Sequence, residues 1–330
     1  MTEVRKEATA GAPLAVSYAR VDEESAGQRL DNFLLRLCKG VPKSHIYRIV
    51  RSGEVRVDGH RVEASTRLVT GNEVRIPPIR VARSDNFQKK PDNAARAGRF
   101  VFDVLFEDDA LLVIDKPAGL AVHGGSGLDF GVIEALRLQR PEARFLELAH
   151  RLDRETSGIL LIGKKRSALK VLHDMFRQGA GDKRYLALVS GQWTEKLKDV
   201  RLPLEKYLTE DGERRVSVSG EDGRFAHTIF RKVDSGRRFS LVEAQIKTGR
   251  THQIRVHLSH LGFPIAGDDK YGDFALNKAL AKEGLKRMFL HAWKMRFPHP
   301  VSGDALAMEA PLPADLSGFL ERTRSAEHGR

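Results

Sequence analysis

The sequence of 330 residues contains one cysteine, Cys38. A single thiol excludes an intrachain disulfide and any zinc site built from several cysteines, and it is typical of proteins from a reducing compartment. No apolar run approaches the roughly 20 residues of a membrane helix. The N-terminal segment MTEVRKEATAGAPLAVSYAR also lacks the apolar core of a secretory signal. We therefore expect a cytoplasmic protein.

Acidic residues are fewer than basic residues. The chain has 44 Asp and Glu against 56 Lys and Arg, which gives a formal net charge of +12. This excess favours a polyanionic partner, with nucleic acid ahead of anionic lipid. Composition alone also allows a merely basic, soluble protein. The length and the hydrophobic content of 41% predict two globular domains.

The composition and periodicity of the sequence change along the chain. We expect a flexible tail over 1–16, a small module over 17–80, a linker over 81–99, a larger domain over 100–315 and a C-terminal tail over 316–330. The linker sequence, VARSDNFQKKPDNAARAGR, is polar and has no periodicity.

The small module shows two helices and short strands. Its first helix has an apolar stripe of Leu30, Phe33, Leu34 and Leu37. The second is predicted to start at an N-cap, Ser44, and to stop at Gly53, and a hairpin is predicted at Asp58-Gly59. Basic residues stand among the apolar positions: Lys43, Arg48, Arg51 and Arg56. They favour a phosphate-facing surface, and ordinary solvated faces are the alternative.

The larger domain has many strand-like segments and fewer helical ones, without strict alternation. Strand candidates include FVFDVLF, GILLIG, RYLALVSGQ, FSLVEAQI and RMFLHAWKMRF. This pattern predicts an α+β domain around a mainly antiparallel sheet.

The charged stretch HRLDRETSG, residues 150–158, lies between two apolar segments. It places Asp153 in a loop between two predicted strands, where a rigid sheet can hold a reactive group still. The alternative is a local ion pair of Asp153 with Arg151 or Arg154 that caps a turn.

The segment TGRTHQIRVHLSHLG predicts a helix with Thr251 as N-cap and Gly262 as its stop. Arg255 falls beside the apolar stripe of this helix. A guanidinium there needs an acidic partner, because a desolvated charge is costly alone. Its fork would hold a carboxylate bidentately and keep it ionised, and such a carboxylate can serve as a nucleophile or a base.

Other chemistry has weaker support. The histidines of this helix, with His150 and His291, lack the HExxH spacing of a metal site, so structural roles are favoured. The glycine-rich IDKPAGLAVHGGSG has neither Walker nor dinucleotide-binding spacing, so no nucleotide cofactor is expected. Tyr185 starts a predicted strand and is either a core residue or a platform for a base.

Three of these motifs occur in a familiar order. HRLDRETSG, KRYLALV and GRTHQIRVH resemble the ribosomal-type branch of the pseudouridine synthases, and DKPAGLAVHGG, GFPIAGDDKYG and FLHA fit the same family. The resemblance extends from about residue 100 to 315. Residues 17–80 resemble the small S-four-type RNA-binding module.

The resemblance implies an isomerase that converts uridines to pseudouridine at several sites of large-subunit (23S) ribosomal RNA, without metal, cofactor or energy source. It implies that Asp153 is catalytic, that Arg255 pairs with it and that Tyr185 packs against the uracil, with removal of the proton from C5 as a further role of Tyr185. Arg151 would hold the RNA or fill the gap left by the flipped base, and Arg250 would also contact RNA.

Two other functions stay open at this point. One is a ribosome-assembly factor that only binds RNA, and the other is a metal-dependent hydrolase built on the histidines. No heptad pattern or interface stripe is visible, so we expect a monomer.

Overall fold

The computed structural model describes residues 16–22, 25–38, 41–79, 97–124, 130–220 and 222–328. The chain forms two compact units, residues 1–93 and 94–330. Most of the predicted N-terminal tail (1–15) and of the predicted linker (81–96) lies outside the described residues.

The first unit is a three-stranded antiparallel sheet with two helices. Its elements are β1 (Ser17–Arg20), α1 (Leu30–Leu37), α2 (Lys43–Arg51), β2 (Arg56–Val57) and β3 (Glu73–Ile76). The strand order is β1-β3-β2. Apolar side chains of both helices and the sheet form one core, which includes Leu30, Phe33, Leu34, Ile46, Ile49 and Val74.

Most local predictions for this unit are confirmed. The turn at Asp58 and Gly59 has φ values of 49° and 79°, which are those of a tight hairpin turn closed by the bridge between Val57 and His60. The N-cap prediction was wrong: α2 begins at Lys43, and Pro42 stands before it with φ near −57°. The carbonyl of Pro42 accepts the first helical hydrogen bonds, from the N–H groups of His45 (3.0 Å) and Ile46 (3.2 Å), and no described side chain caps this end.

The described part of the second unit contains twelve strands and five helices. The strands are β4 (Asp103–Glu107), β5 (Leu111–Lys116), β6 (Glu147–Leu148), β7 (Ser157–Gly163), β8 (Asp182–Ser190), β9 (Leu197–Arg201), β10 (Leu204–Leu208), β11 (Arg214–Val218), β12 (His227–Ser235), β13 (Phe239–Ile246), β14 (Leu290–Pro298) and β15 (Ala305–Glu309). The helices are α3 (Val132–Gln139), α4 (Arg166–Arg177), α5 (Gln253–His260), α6 (Phe274–Lys282) and α7 (Ala314–His328).

One ten-stranded sheet organises this unit. Its order is β4-β5-β7-β14-β8-β13-β12-β9, with β6 paired to β7 and β15 to β14. All pairs are antiparallel except β7 with β14. β10 and β11 form a separate hairpin. The predicted α+β class with a mainly antiparallel sheet is confirmed.

Apolar side chains cover both faces of the central strands. In β5, Leu112 and Ile114 belong to the main core, whereas Leu111 and Val113 belong to a second cluster that also contains Leu172 of α4. A strand buried on both faces reads as a continuous apolar run, which is why GILLIG looked like a core strand in the sequence.

The predicted C-terminal tail from residue 316 was wrong. α7 occupies this segment, and Leu316, Phe319 and Leu320 are buried in the main core. The spacing of these three residues is that of one helical face, so their burial stabilises the helix against the sheet. Among the described helices, none is long and apolar enough to cross a membrane.

Gly158 permits the single parallel strand pair. It lies at the start of β7, immediately after the HRLDRETSG loop, with φ of 111°. A Cβ at this position would overlap the backbone of Ala292 in β14, which pairs with Gly158. Only glycine combines this φ with so close an approach.

We expect Gly158→Ala to destabilise the second unit by about 4 kcal/mol or more, because two backbones must separate. Gly212→Ala is the matched control: Gly212 also has positive φ (75°), but a Cβ there meets nothing within 4 Å. Its expected cost is about 1–2 kcal/mol from the left-handed backbone alone. Urea unfolding followed by tryptophan fluorescence reports on this unit, because both tryptophans, Trp193 and Trp293, lie in it. Equal losses in the two variants would contradict the steric explanation.

Candidate active site

Asp153 lies in the loop between β6 and β7. Its neighbour Leu152 is buried in the main core, which anchors the loop from within. The N–H of Thr156 donates to the carbonyl of Asp153 at 3.1 Å and tightens the turn. The carboxylate itself is 21% exposed, so it faces outward from a fixed backbone.

A buried lysine holds the same loop from the other side. Lys116 is fully buried, and its Nζ donates to the carbonyls of Pro117 (2.7 Å), Leu120 (2.9 Å) and Arg154 (3.1 Å). Burial lowers the pKa of Lys116 to about 7. An ammonium group has three donors, so these three carbonyls match its protonated form. Lys116 thus ties the residue after Asp153 to the DKPAGL segment.

Arg255 of α5 reaches Asp153 from a distant part of the chain. Its guanidinium is 4% exposed, and its Nη1 lies 3.4 Å from Oδ2 of Asp153. The expected bidentate grip on Asp153 was wrong: Nε and Nη2 bind the two oxygens of Asp268, each at 2.7 Å. One edge of the fork is therefore used by Asp268, and the remaining Nη1 is directed at Asp153.

The pair Arg255–Asp268 is ionised although it is buried. Burial alone would lower the pKa of Arg255, but the hydrogen bonds and charge of Asp268 outweigh it and raise that pKa. Burial alone would raise the pKa of Asp268, but Arg255 and the N–H groups of Lys270 and Tyr271 outweigh it and lower that pKa. A buried charge is retained when a partner and hydrogen bonds satisfy it.

The local alternative for Asp153 was wrong. Arg154 pairs with Glu155 at 2.7 Å, and the basic groups that approach the Asp153 carboxylate in the described part of the chain are Arg255 and His252. His252 Nε2 lies 3.8 Å from Oδ2 of Asp153.

The turn before α5 is fixed by Gln253. Its side chain is buried, accepts from the hydroxyl of Thr248 (2.7 Å) and donates to the carbonyl of His227 (3.0 Å) and the hydroxyl of Thr228 (2.9 Å). Thr251 was expected to be the N-cap, but the residue before the helix is His252, with a left-handed φ of 53°. Tertiary bonds of Gln253 thus take the place of a side-chain cap.

Tyr185 lies in β8, where it pairs with Ala244 on one side and Ala292 on the other. It is 6% exposed. Burial and the nearby charge of Asp153 raise the pKa of its hydroxyl, which therefore stays protonated at neutral pH. Within the described ranges this hydroxyl has no hydrogen-bond partner, so it is available to a ligand.

These side chains line one cleft that is open to solvent. Five residues predicted from the sequence meet there: Arg151, Asp153, Tyr185, Arg250 and Arg255. Arg151 is exposed at the cleft, and Arg250 donates through Nε to the carbonyl of Phe225 at 3.0 Å. The other predicted RNA-binding residues, Lys43, Arg48, Arg51 and Arg56, are exposed in the first unit.

Sequence reasoning missed Asp268, Tyr271, Gln253 and Lys116. A signal existed for Asp268: an arginine on a buried helix stripe requires an acid, and GDDKYG follows the helix closely. Lys116 could not be found this way, because its partners are backbone carbonyls.

The histidines do not form a metal site. Over the ranges that the structure describes, no group of three or more His, Cys, Asp or Glu side chains could hold a metal ion. His257 bonds instead to the Thr228 hydroxyl (3.0 Å) and the Leu202 carbonyl (3.2 Å), and His291 to Ser157 (2.9 Å).

Comparisons with known proteins agree with this geometry. A family model described as RNA pseudouridylate synthase matches residues 110–260, and the S4 domain model matches residues 28–74. The chain is 50% identical over 313 residues to ribosomal large subunit pseudouridine synthase C of Salmonella typhi, covering 94% of this chain and 98% of that protein. The protein of the same name from Haemophilus influenzae is also 50% identical over 313 residues, covering 95% and 97%.

Among solved structures, human RNA pseudouridylate synthase domain containing 4 superposes with a TM-score of 0.58 at 27% identity. The match covers 71% of this chain and 97% of that one.

We expect Asp268→Asn to lower the free energy of unfolding by about 3–5 kcal/mol, because it leaves the buried Arg255 charge without its partner. Asp269→Asn is the control, since Asp269 contacts the same guanidinium at 3.3 Å but is 60% exposed. Its loss should cost no more than about 1 kcal/mol. Urea unfolding measures both variants, and a cost for Asp268→Asn as small as that of the control would show that Asp268 does not hold Arg255.

Proposed function

The chain belongs to the RNA pseudouridylate synthase family, and we propose that it converts specific uridines of large-subunit ribosomal RNA to pseudouridine at several sites. The substrate class is supported by two relatives with 50% identity that carry the name ribosomal large subunit pseudouridine synthase C. The observation that carries the chemistry is the ion pair of Asp153 with a buried arginine, at a cleft that also presents Tyr185.

Uridine and pseudouridine are isomers. The bond from N1 of uracil to the ribose breaks, the base turns within the site, C5 bonds to the same ribose carbon, and the proton on C5 leaves while N1 gains one. No atom enters or leaves overall except by proton exchange. The enzyme must therefore hold a detached base in place and supply one well-placed carboxylate.

Asp153 is the carboxylate that we assign to this reaction. Arg255 and His252 both approach its Oδ2, and within the described ranges Oδ1 accepts no protein hydrogen bond. A carboxylate can attack the anomeric carbon, add to the ring, or remove a proton from the sugar. All three routes require an ionised group with an oxygen facing the ribose, and the contact with Arg255 supports both requirements.

Tyr185 is assigned to packing against the uracil. Its raised pKa keeps it a neutral phenol, which is a poor base but a good flat surface for a detached ring. Tyr185 pairs with Ala244 and Ala292 in the two adjacent strands, so the sheet fixes its position.

The target uridine must leave its stack to reach this cleft, at a cost of a few kcal/mol. We assign Arg151 and Arg250 to the flanking RNA, because both line the cleft with Asp153. Arg151 is exposed beside Asp153 and can occupy the gap that the flipped base leaves.

The first unit supplies a further RNA-binding surface. Lys43, Arg48 and Arg51, with Tyr47, lie within an arc of about 140° on α2 at 3.6 residues per turn. All four are exposed. We propose that this face and Arg56 bind RNA phosphates, which agrees with the S4 domain match over 28–74.

We further propose that the protein acts as a monomer in the cytoplasm. The monomeric state is carried over from the sequence, in which no heptad pattern or interface stripe is visible. The location is supported by the relatives named ribosomal large subunit pseudouridine synthase C, because bacterial ribosomal RNA is a cytoplasmic substrate.

Asp153→Asn is expected to lower the single-turnover rate by at least about a thousandfold while RNA affinity stays within about threefold, because charge is lost without a change in shape. The substrate is large-subunit ribosomal RNA that lacks the modification. Product is measured as carbodiimide adducts that survive alkali, and tritium release from uridine labelled at C5 gives the rate.

Asp109→Asn controls for the loss of one acidic charge, since Asp109 is exposed in the turn between β4 and β5. If Asp153→Asn formed product at the rate of this control, Asp153 would have no catalytic role. If the unaltered protein bound the RNA but formed no product, the RNA-binding assembly factor would be the better description.

A second test addresses the α2 surface. The triple variant Lys43→Gln, Arg48→Gln and Arg51→Gln should weaken RNA binding and reduce the slope of log affinity against log salt by up to about two, since each phosphate contact contributes about 0.7 for single strands. The control triple Lys278→Gln, Lys282→Gln and Lys286→Gln removes the same charge from exposed positions in the second unit. Equal slopes in both variants would show that net charge, and not this surface, governs binding.

A further inference from the structure

His252 stands between the Asp153 carboxylate and a partly buried tyrosine, Tyr271. Its side chain is 14% exposed and lines the cleft. Nε2 lies 3.8 Å from Oδ2 of Asp153, and Nδ1 lies 2.8 Å from the hydroxyl of Tyr271. The imidazole of His252 therefore directs Nε2 at Asp153 and Nδ1 at Tyr271.

The backbone of His252 is held in an uncommon conformation. Its φ of 53° is left-handed, and Asp58 is the other described non-glycine residue with positive φ. Such a conformation costs about 1–3 kcal/mol and persists only where the surroundings enforce it. The buried bonds of Gln253, the next residue, supply that enforcement and aim the imidazole at Asp153.

The hydrogen bonds of Tyr271 determine where the imidazole proton lies. The backbone N–H of Val216 donates to the Tyr271 oxygen at 2.9 Å. In the part of the chain that the structure describes, the remaining partner of this hydroxyl is Nδ1 of His252, so the hydroxyl donates and Nδ1 accepts. The neutral ring then carries its proton on Nε2, the nitrogen that faces Asp153.

Tyr271 is itself fixed by the buried ion pair. Its N–H donates to Oδ1 of Asp268 at 3.1 Å, and its ring lies 5.1 Å from the guanidinium carbon of Arg255. The same carboxylate that orients Arg255 therefore orients the tyrosine that orients His252. Both donors converge on Oδ2 of Asp153.

The neutral form of His252 is favoured. Burial lowers its pKa, and the charge of Asp153, which acts in the opposite direction, does not reverse that shift. A neutral donor can orient a carboxylate without cancelling its charge, whereas an imidazolium would weaken the carboxylate as a nucleophile or base.

We propose that His252 is a positioning residue for Asp153: the Nε2–H, set by Tyr271, donates to Oδ2 of Asp153 when RNA occupies the cleft, so that Oδ1 faces the target ribose. This inference rests on the proposed function of the cleft. The separations from Asp153 of 3.4 Å for Arg255 and 3.8 Å for His252 are long, and catalytic hydrogen bonds commonly shorten when substrate binds.

Histidine NMR tests the tautomer without any assay of activity. The full chain, labelled with ¹⁵N in its 12 histidines, should show for residue 252 a proton on Nε2 and none on Nδ1. The signals are assigned by their loss in His252→Asn. Tyr271→Phe removes the donor to Nδ1 and should produce a mixture of tautomers. A proton on Nδ1 in the unaltered chain, or an unchanged tautomer in Tyr271→Phe, would overturn the inference.

Two substitutions distinguish the effect of the Nε2–H donor from the effect of the left-handed backbone at residue 252. His252→Asn tolerates the left-handed φ, but its amide is too short to reach Asp153. His252→Gln can place an amide N–H near the position of Nε2. We expect the single-turnover rate to fall about 10- to 100-fold in His252→Asn, the effect of losing a hydrogen bond to a charged group. RNA affinity should stay within about threefold, and His252→Gln should recover most of the rate.

The outcomes distinguish this inference from the proposed function. If the unaltered chain forms no pseudouridine, the proposed function is wrong. The NMR measurement then still decides, independently of activity, whether Tyr271 sets the tautomer of His252. If it forms pseudouridine and His252→Asn is as fast, or His252→Gln is no faster than His252→Asn while both remain folded by thermal unfolding, the positioning role fails and the function stands.

Discussion

The buried ion pair of Arg255 and Asp268 is the constraint on which the site depends. Asp268 is fully buried and binds Arg255 with both oxygens, while its Oδ1 also accepts from the N–H groups of Lys270 and Tyr271. These four hydrogen bonds, three to Oδ1 and one to Oδ2, hold the carboxylate in one orientation. That arrangement leaves Nη1 of Arg255 for Asp153, so the orientation of the reactive group is decided 115 residues away in the chain, between Asp153 and Asp268.

The loop of Asp153 is held mainly by backbone atoms. Lys116 gathers three carbonyls, one of them from Arg154, and Gly119 donates to that same carbonyl at 2.9 Å. Gly158 then lets β7 approach β14 directly behind the loop. These contacts use no side chain of the loop, which leaves Arg151 and Asp153 free to line the cleft. This arrangement explains how so many charges can interrupt two buried strands.

The sequence predicted the fold class and the need of Arg255 for an acidic partner because both leave local signals, whereas Arg151, Arg250 and the role of Tyr185 came from the resemblance to the family. Apolar runs indicated the strands, and an arginine beside a helix stripe indicated a need for an acid. The choice of Asp268 over Asp153 as the bidentate partner could not be predicted, because both are acids and only the tertiary path of GDDKYG decides between them. The tail prediction from 316 was wrong for a related reason. Leu316, Phe319 and Leu320 form a short apolar stripe, and it stabilises a helix only because the main core is there to bury it. The N-cap at Thr251 was wrong because buried bonds of Gln253 outweigh local capping preference.

The isomerisation itself explains why binding and chemistry are separated on this chain. Uridine and pseudouridine in RNA carry the same phosphates, so the contacts proposed for Lys43, Arg48 and Arg51 would stabilise substrate, transition state and product alike. Such uniform binding would improve capture and offset the cost of flipping the base, but it would not accelerate the chemical step. Acceleration must come from groups whose interaction changes while the base is detached, and we propose that these are the carboxylate of Asp153 and its donors. Those groups need rigid placement more than added charge. The buried ion pair of Arg255 with Asp268 supplies that rigid placement.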